Sequence, residues 1–352
     1  MSLLKVLAMG NSDIFSKNIS AGMGTFAVSL SNELAMSVKL DYFTYNSLLH
    51  GAIKSILRSY IYKKYDVIHD FTGWSYYRKR PGYPPYVVTL HDLTVNIFQP
   101  DFLFRNNYKG LTKGIWFRTL KSRIIKNLKQ ADRVIAVSTL LKELAIDYFD
   151  IDEEKIYVVN HGISFQSYKS KFAKADKFII STLSNLEARK NPKMLLRAFE
   201  LFRVNLPTHE RDKVELHLYG NVNETFKEWL NLPNYGKNIF LEGPIEQTTK
   251  QEMYCKSSVF VFPSIEEGFG MPIMEAQWCG IPIIIFGSGI ISSEVGKYVY
   301  KAYTAEEMAN LFLNFYKHGF PKNIKNKQIT YARGFTWKKA AKEILRIYND
   351  IT

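Results

Sequence analysis

One segment of the C-terminal half, residues 263–282, carries the residue types best suited to binding a polar ligand. It predicts a buried strand, a turn through Gly268 and Gly270, and then a helix whose first backbone N–H groups can bind an anion such as phosphate. Seven residues separate Glu267 from Glu275, so one carboxylate precedes the helix and the other lies about one turn inside it. Carboxylates so placed can accept hydrogen bonds from vicinal hydroxyls, one at each end of a ligand such as a nucleotide-sugar. The alternative is that Glu267 is only a charge at a helix N-terminus and that Glu275 lies on a solvated helix face.

A basic pair, Arg189 and Lys190, lies in a predicted strand-to-helix loop of the same half. Arginine offers a planar fork of donors and lysine a compact cation, so the two types at adjacent positions can neutralise a diphosphate. The alternative is an ordinary solvated pair. Asn191 and Pro192 begin the next helix directly after the pair, which favours the binding interpretation.

The N-terminal half offers weaker candidates. Gly22 and Gly24 open the first predicted helix, where a glycine loop can line a phosphate site or simply form a tight turn. The third glycine of a dinucleotide fingerprint is missing, since Val28 and Ser29 follow, and this disfavours nicotinamide binding. His91 directly follows a predicted buried strand and should emerge at its carboxyl edge, although a lone histidine is more often a structural group.

Strand and helix patterns alternate along the whole chain, with five buried strands predicted in each half. This alternation predicts an α/β fold of two doubly wound, Rossmann-like parallel sheets. A polar stretch, residues 164–176, interrupts the pattern and is predicted to be the interdomain linker. We therefore expect an N-terminal domain over residues 1–165, a C-terminal domain over 166–334, and a last helix in 335–352 that packs back towards the N-terminal domain. The two domains are expected to face a central cleft, the usual place for a small-molecule site.

The charge of the chain points to a polyanionic partner. Of the 352 residues, 47 are Lys or Arg and 33 are Asp or Glu, which gives a formal charge of +14. Nucleic acid, an anionic membrane and phosphorylated ligands all fit such a balance. The basic surplus is divided evenly between the two halves, and no zinc pattern, RNA-recognition signature or basic-zipper repeat accompanies it. We expect no nucleic acid partner, and a basic nucleic-acid-binding protein is the alternative class.

One stretch, residues 105–129, is basic throughout and contains no acidic residue. Its basic residues are Arg105, Lys109, Lys113, Arg118, Lys121, Arg123, Lys126 and Lys129. Apolar residues interleave with them at helical spacing, and a basic amphipathic helix suits an anionic membrane surface. The alternative is a helix that buries its apolar stripe on the sheet and leaves its lysines in water.

The two cysteines, Cys255 and Cys279, lie in apolar runs and are predicted to be buried free thiols rather than a bridge or a metal pair. The N-terminus has too short an apolar stretch for a secretory signal, and no run approaches the roughly 20 apolar residues that span a bilayer. We expect a cytoplasmic protein, with peripheral attachment to the inner face of the cell membrane as a further expectation.

The segment at 263–282 closely resembles the donor-site motif of the retaining glycosyltransferases of family 4, the group 1 glycosyl transferases, which have the GT-B fold. In that motif a glutamate before Gly-Phe-Gly is followed, after seven residues, by a second glutamate. Further blocks of the chain resemble family blocks and occur in the family order: residues 87–93, 131–138, 158–163, 186–192 and 335–337. The resemblance spans nearly the whole chain and implies two Rossmann-like domains with the GT-B fold.

The resemblance implies a role for each matching residue. Glu275 would hold the donor ribose, and Glu267 would contact the transferred sugar. The residues that would bind the donor nucleotide-sugar are Gly22, Gly24, Arg189, Lys190, Phe269, Gly270, Met271 and Glu275. His91 would contact the transferring sugar and is, with Glu267, a candidate catalytic residue, while Asp92 would lie on the acceptor side. His161 matches a block that more often fixes a loop.

The implied reaction transfers a hexose, such as mannose or glucose, from a nucleotide-diphosphate sugar to a hydroxyl of a glycan or glycolipid, with retention of the anomeric configuration. Lipopolysaccharide O-antigen or capsule assembly is the family-based expectation for the acceptor. No metal and no other cofactor is expected: Asp150 and Asp152 have the spacing of a metal motif but lie in an acidic surface turn. A phosphorylase or a nucleotide-sugar epimerase is the alternative within the fold. The family often has proline at Asn160 and glycine at Ser184, and these departures bear on sugar identity.

Overall fold

The computed structural model describes residues 3–10, 15, 22–44, 60–75, 77–92, 111–165, 176–185, 187–221 and 237–352, with only the main chain described at 111–120 and 188. The chain divides into two compact units. One comprises Met1–Ser164 together with Phe335–Thr352, and the other comprises Phe165–Gly334. Most of the predicted linker, residues 166–175, lies outside the described residues.

The N-terminal unit is built on a six-stranded parallel sheet with the strand order β2-β1-β3-β4-β5-β6. Its strands are β1 (Lys5–Gly10), β2 (Lys39–Thr44), β3 (Val67–Asp70), β4 (Tyr86–Leu90), β5 (Arg133–Ala136) and β6 (Ile156–Val158). Its helices are α1 (Gly22–Leu34), α2 (Leu111–Gln130), α3 (Thr139–Phe149) and α9 (Trp337–Asn349), the last helix of the chain. Every residue of β3 and β4 is buried, as expected for parallel strands that helices cover on both faces.

The C-terminal unit repeats this plan with the order β12-β11-β10-β7-β8-β9, and its described strand pairs are parallel as well. Its strands are β7 (Phe178–Leu183), β8 (Val214–Tyr219), β9 (Ile239–Gly243), β10 (Val259–Phe262), β11 (Ile283–Phe286) and β12 (Tyr300–Ala302). Its helices are α4 (Pro192–Val204), α5 (Gln247–Lys256), α6 (Met271–Cys279), α7 (Ala305–His318) and α8 (Lys322–Ala332). A core of apolar side chains from α4, α7 and the sheet holds these layers together.

The two strands that the sequence did not predict, β2 and β12, are edge strands. β2 contains no buried residue along Lys39–Thr44, and β12 is three residues long. An edge strand with one partner buries little apolar surface, so the apolar runs that reveal the central strands are missing. The helices were easier to predict: α4 occupies the residues at which Asn191 and Pro192 indicated a start, and α6 begins at Met271.

Candidate functional site

The strand order brings two loops of the C-terminal unit together at one edge of the sheet. β7 and β10 are neighbours, although β8 and β9 lie between them in sequence, so the order of the strands reverses at this pair. Ligands of doubly wound sheets bind beyond the carboxyl ends of the strands at such a reversal. The loop after β7 contains Arg189 and Lys190, and the loop after β10 contains Glu267. The backbone joins the two loops directly, since Ile265 N–H donates to the carbonyl of Arg189 at 2.9 Å.

Gly270 shapes the start of α6. It is the residue before the first helical turn and has a φ of +85°, a left-handed conformation that side chains other than glycine rarely adopt. A Cβ there would also lie 3.3 Å from Ile273 Cδ1 and 3.4 Å from Val295 Cγ2. Phe269 is buried, and Met271 is the first residue of the helix. The backbone N–H groups at this helix start are the donors that suit a phosphate.

Lys190 and Arg189 converge on Glu267. The Lys190 ammonium donates to Glu267 Oε1, and Arg189 Nη1 lies 3.6 Å from the same oxygen. Arg189 Nη1 also donates to the carbonyl of Glu266 at 3.2 Å, and the Lys190 ammonium lies 5.2 Å above the ring of Phe262. The Lys190 and Glu267 side chains are only 10% and 12% exposed, so a solvated basic pair does not describe this arrangement.

The charged groups of this cluster stabilise one another's ionised forms. Burial acts to raise the pKa of Glu267, but the Lys190 and Arg189 cations and the hydrogen bond from Lys190 outweigh it and hold the pKa below its ordinary value. Burial lowers the pKa of Lys190, and Glu267 opposes that effect. The geometry therefore presents an ionised carboxylate between two cations at neutral pH.

Glu275 is buried, with 2% of its surface exposed, so the alternative of a solvated helix face is wrong for this residue. The Tyr254 hydroxyl donates to Glu275 Oε2 at 2.8 Å, and the Lys250 Nζ lies 3.9 Å from Glu275 Oε1. Burial raises the pKa of Glu275, while Lys250, Tyr254 and Gln247 act in the opposite direction. These three residues of α5 were not predicted from the sequence, because no local pattern in Gln247–Lys256 indicates which of its polar residues meet Glu275.

In the N-terminal unit, His91 follows β4 and is half-buried. Its Nε2 lies 2.7 Å from the carbonyl of Phe71, and because a carbonyl only accepts, Nε2 carries the proton and Nδ1 is the acceptor nitrogen. Burial lowers the pKa of His91 to about 4, against the opposing effects of Phe71 and Asp70, so the ring is neutral near pH 7. His91 and Asp92 line a small pocket with Thr72.

The loop after β3 is organised by Asp70, a residue that was not predicted from the sequence. Its carboxylate accepts hydrogen bonds from the N–H groups of Thr72, Gly73 and Ser75 at 3.0, 3.1 and 3.0 Å. The side-chain amide of Asn127, on α2, donates to the carbonyls of Gly73 and Ser75, both at 2.9 Å. This loop borders the pocket of His91 and Asp92. The available signal was an aspartate at the end of a buried strand, with Thr72, Gly73 and Ser75 within the next five residues.

His161 belongs to an aromatic cluster of the N-terminal unit. Its ring centroid lies 5.0 Å from that of Phe26, 5.5 Å from that of His91 and 5.7 Å from that of Trp337. Burial, followed by the charge of His91, lowers the pKa of His161 well below its ordinary value. These contacts agree with the expectation that His161 fixes a loop.

The remaining expectations have mixed outcomes. Gly24 is buried in α1, whereas Gly22 is exposed at its start. Asp150 ends α3 in a left-handed conformation, and Asp152 accepts a hydrogen bond from Glu154 N–H at 3.0 Å, so both act as turn residues. Within the part of the chain that the structure describes, no three His, Cys, Asp or Glu side chains form a group that could hold a metal. The cysteines are free thiols but only half-buried, and a side-chain hydrogen bond joins Cys255 to Cys279.

Only the end of the basic stretch can be compared with its prediction, since residues 105–110 lie outside the described residues. In this part of α2, Ile124 and Leu128 are buried while Lys121 and Lys126 are exposed. Such a helix buries an apolar stripe and presents lysines to the surroundings, which both interpretations require. Among the described residues, no helix is both long and apolar enough to cross a bilayer.

Two family profiles match the chain. The profile described as "Glycosyl transferases group 1" matches residues 164–345, and the one described as "Glycosyltransferase Family 4" matches residues 36–167. The resemblance drawn from the motifs is therefore confirmed.

The curated relatives match the chain at low sequence identity. The "Serotype-specific mannosyltransferase WbdA" of Escherichia coli is 28% identical over 193 residues, which are 50% of this chain and 23% of WbdA. An uncharacterized glycosyltransferase of Methanocaldococcus jannaschii is 26% identical over 310 residues, 81% of this chain and 75% of the relative. The chain thus matches only about a quarter of the length of WbdA.

Solved structures support the fold. HepE of Anabaena, solved in complex with UDP and glucose, superposes with a TM-score of 0.71 and 16% identity over 99% of this chain and 100% of HepE. Sucrose-phosphate synthase of Thermosynechococcus elongatus gives a TM-score of 0.73 and 15% identity over 99% of this chain and 98% of that protein. With its two parallel α/β units, the chain has the GT-B fold.

Proposed function

The chain belongs to the family of group 1 glycosyl transferases, and we propose that it transfers a hexose from a nucleotide-diphosphate sugar to a hydroxyl of a glycan or glycolipid acceptor. The observation that carries this proposal is the arrangement beyond β7 and β10. There Lys190 and Arg189 converge on Glu267 just before the start of α6, and the buried carboxylate of Glu275 follows within the helix. Two cations and a helix N-terminus suit a diphosphate, and two carboxylates suit sugar hydroxyls.

The ion-pair cluster suggests how the donor enters this site. Without a donor, Glu267 is the anion that Lys190 and Arg189 contact. A diphosphate carries more negative charge than one carboxylate, so it takes over both cations when it binds. Glu267 then accepts hydrogen bonds from hydroxyls of the transferred sugar, with the N–H groups of Phe269, Gly270 and Met271 beside it.

The proposed chemistry is a front-face substitution that retains the anomeric configuration. The bond between the anomeric carbon and the β-phosphate oxygen breaks, and the acceptor oxygen forms a bond to that carbon on the same face. The acceptor proton passes to the leaving diphosphate, whose charge Arg189, Lys190 and the start of α6 stabilise. Since these groups supply the positive charge, we propose that no metal ion or other cofactor is needed.

The N-terminal unit is proposed to provide the acceptor side. His91, neutral and fixed by its hydrogen bond to Phe71, contacts the transferring sugar, and Asp92 contacts the acceptor. Gly22 and Gly24 lie at the start of α1, and we propose that they contribute main-chain contacts to the donor. We propose mannose as the sugar and an O-antigen or capsule glycan as the product, because several relatives are named mannosyltransferases, among them O-antigen chain mannosyltransferases.

A panel of nucleotide sugars tests the donor directly. At a concentration of 100 times its Kd, a bound donor stabilises a protein by about 2.7 kcal/mol, so we expect the correct donor to raise the Tm by roughly 5 °C. Differential scanning fluorimetry with GDP-mannose, UDP-glucose, UDP-N-acetylglucosamine and, as a control, NAD measures this shift. If no nucleotide sugar stabilises the protein and NAD does, the proposed donor site is wrong.

We also propose that the protein is cytoplasmic and attaches peripherally to an anionic membrane surface through residues 105–129. The exposed Lys121 and Lys126 beside the buried Ile124 fit a helix that presents charge outwards. Reversing the charge at Lys121, Arg123 and Lys126 to Glu is expected to reduce binding to liposomes of phosphatidylglycerol at least tenfold in a sedimentation assay, because each basic residue near such a surface contributes about 1 kcal/mol.

The matched control reverses three exposed lysines of α9 instead: Lys338, Lys339 and Lys342. This variant has the same net charge, so it should retain liposome binding if the surface of α2 is the attachment site. If both variants lost liposome binding equally, net charge alone would explain the loss. A specific membrane-binding surface on α2 would then be contradicted.

A further inference from the structure

Lys250 is a buried lysine close to the second carboxylate of the site. It lies on α5 with 6% of its surface exposed, and its Nζ is 3.9 Å from Glu275 Oε1. Lysines are rarely buried to this extent without an ionic partner, since desolvation of the ammonium is costly. Another lysine of the same helix, Lys256, shows the ordinary arrangement: it is half exposed and pairs with Glu252 one turn earlier. The position of Lys250 therefore calls for a specific explanation.

Lys250 is part of one polar face of α5. Gln247, Lys250 and Tyr254 are three and four residues apart, a spacing that places them on the same side of the helix. All three act on Glu275, whose carboxylate is the shared centre of this face. The Tyr254 hydroxyl fixes Oε2 at 2.8 Å, whereas Oε1 faces the ammonium at a distance longer than a hydrogen bond. The carboxylate is thus oriented on one side and contacted by positive charge on the other.

The ionisation state of this carboxylate decides what it can bind. An ionised carboxylate accepts hydrogen bonds at both oxygens, so after the bond from Tyr254 it retains lone pairs for two vicinal hydroxyls. A protonated carboxylic acid presents an O–H on one oxygen and loses acceptor capacity there. A buried glutamate that must accept from a diol therefore requires a nearby positive charge.

We propose that Lys250 is a positioning residue that keeps Glu275 ionised, so that its carboxylate accepts both hydroxyls of the donor ribose. This inference rests on the proposed function, because it takes the ribose to bind at Glu275. Lys250 acts through Glu275 and does not itself contact the sugar. It therefore governs the affinity for the nucleotide and its dependence on pH rather than the chemical step.

The charges around Glu275 support this assignment. Burial raises the pKa of Glu275, and the largest opposing effect comes from Lys250, followed by Tyr254 and Gln247. On its own helix, Cys279 lies within electrostatic reach, and Lys325 of α8 faces that cysteine. The neighbouring strands β10 and β11 present only apolar residues, Val259–Phe262 and Ile283–Phe286.

The sign of the pH effect follows. Without Lys250 the pKa of Glu275 rises further, so its carboxylate becomes protonated at a higher pH than in the unsubstituted protein. Lowering the pH towards this raised pKa then removes an acceptor for the ribose, and the affinity for a nucleoside diphosphate falls. In the unsubstituted protein the same change of pH should lower the affinity for the nucleoside diphosphate less.

The test uses Lys250→Met, with Lys250→Arg as the conservative variant and Lys256→Met as the matched control on the same helix. The carboxyl ¹³C resonance of Glu275, assigned by its loss in Glu275→Gln, gives the titration midpoint without any ligand. Calorimetry with UDP and GDP at pH 6 and pH 8.5 gives the affinity, and their 2′,3′-dideoxy forms report on the ribose hydroxyls.

In Lys250→Met we expect the titration midpoint of Glu275 to rise by at least one pH unit. We also expect the Kd for the nucleotide that binds to rise between pH 8.5 and pH 6. This rise in Kd should be about tenfold larger in Lys250→Met than in the unsubstituted protein. The dideoxy nucleotide should show no such added loss, Lys250→Arg should restore the original profile, and Lys256→Met should match the unsubstituted protein. Because Arg keeps the charge, it separates this role from a merely structural one even if the Met variant is less stable.

An unchanged titration midpoint in Lys250→Met would overturn the inference. A shifted midpoint with nucleotide affinity unchanged at both pH values would overturn it too, since Glu275 would then not hold the ribose. The failure of the proposed function looks different: the unsubstituted protein would bind neither UDP nor GDP.

Discussion

Replacement of Glu267 by glutamine is expected to lower kcat/KM for the nucleotide-sugar donor by about a thousandfold, while the fold is retained. Glutamine has nearly the same shape but no charge, so it leaves the Lys190 ammonium and the Arg189 guanidinium beside a neutral amide. It also weakens the acceptor proposed for hydroxyls of the transferred sugar, a loss of the size seen when one group that stabilises a transition state is removed. Initial rates with the donor found in the nucleotide-sugar panel measure the effect.

The loss should appear mostly in kcat. The diphosphate and ribose contacts proposed for Arg189, Lys190 and Glu275 remain in the variant, so the Kd for the nucleoside diphosphate should change little, or even fall, because no carboxylate then competes for the two cations. Calorimetry with the nucleoside diphosphate separates the two contributions.

Stability provides a second readout for the same variant. The pKa of Glu267 is held below its ordinary value, so its ion pairs contribute stability above that ordinary pKa and the contribution is lost as the pH falls through the lowered pKa. The variant lacks this term, and its Tm should therefore vary less with pH in the acidic range. Glu306→Gln, at an exposed position in the first turn of α7, is the matched control for activity and stability. Nearly full turnover and affinity in Glu267→Gln would show that the proposed donor site is wrong.

Replacement of Gly162 by alanine is expected to lower the free energy of unfolding of the N-terminal unit by about 3 kcal/mol or more. A Cβ at this position would lie 2.1 Å from the backbone N of Trp337 and 2.6 Å from the carbonyl carbon of Thr336. Both are main-chain atoms, which cannot rotate away as a flexible side chain would, so the start of α9 must move.

The segment that must move is held in place by other bonds. Ile163 N–H donates to the carbonyl of Phe335 at 3.1 Å, and Trp337 Nε1 donates to Ser164 Oγ at 2.9 Å. Farther along α9, the Tyr348 hydroxyl lies 2.6 Å from the buried Nδ1 of His69. Displacing α9 strains or breaks these contacts, so the cost exceeds that of one added methyl group.

Urea unfolding followed by tryptophan fluorescence measures this change, because Trp337 itself reports on the contact. The control is Gly22→Ala, where a Cβ would have no neighbour within 4 Å, and its free energy of unfolding should change by less than about 1 kcal/mol. If Gly162→Ala were as stable as Gly22→Ala, the close approach of α9 to residue 162 would be contradicted.

Central strands such as Tyr86–Leu90 and Val259–Phe262 could be predicted because they are runs of buried, mostly apolar residues. The edge strands β2 and β12 could not, because β2 has no buried residue and β12 spans only three residues. The helix starts at Pro192 and Met271 were predictable from proline and glycine chemistry, which acts within a few residues. Local signals of this kind do not require knowledge of the packing.

The candidate site shows the same difference between local signals and long-range packing. The spacing of Glu267 and Glu275 and the neighbouring Arg189 and Lys190 were visible because each pair lies within one loop-and-helix segment. The ion pairs between Glu267 and the basic residues, 77 and 78 residues away in sequence, depend on β7 and β10 being neighbours. No local pattern encodes that adjacency.

The fold class, the family and the residue types of the proposed donor site could be predicted from the amino-acid sequence, because short-range patterns and motif spacing carry them. The tertiary structure determines which charges meet. It buried Glu275 against Tyr254 and placed Lys250 beside it, and it gathered the loop after β3 around Asp70. The physical reason is that the pKa of a carboxylate depends on burial and on the charges around it, and neither is defined until distant segments pack together.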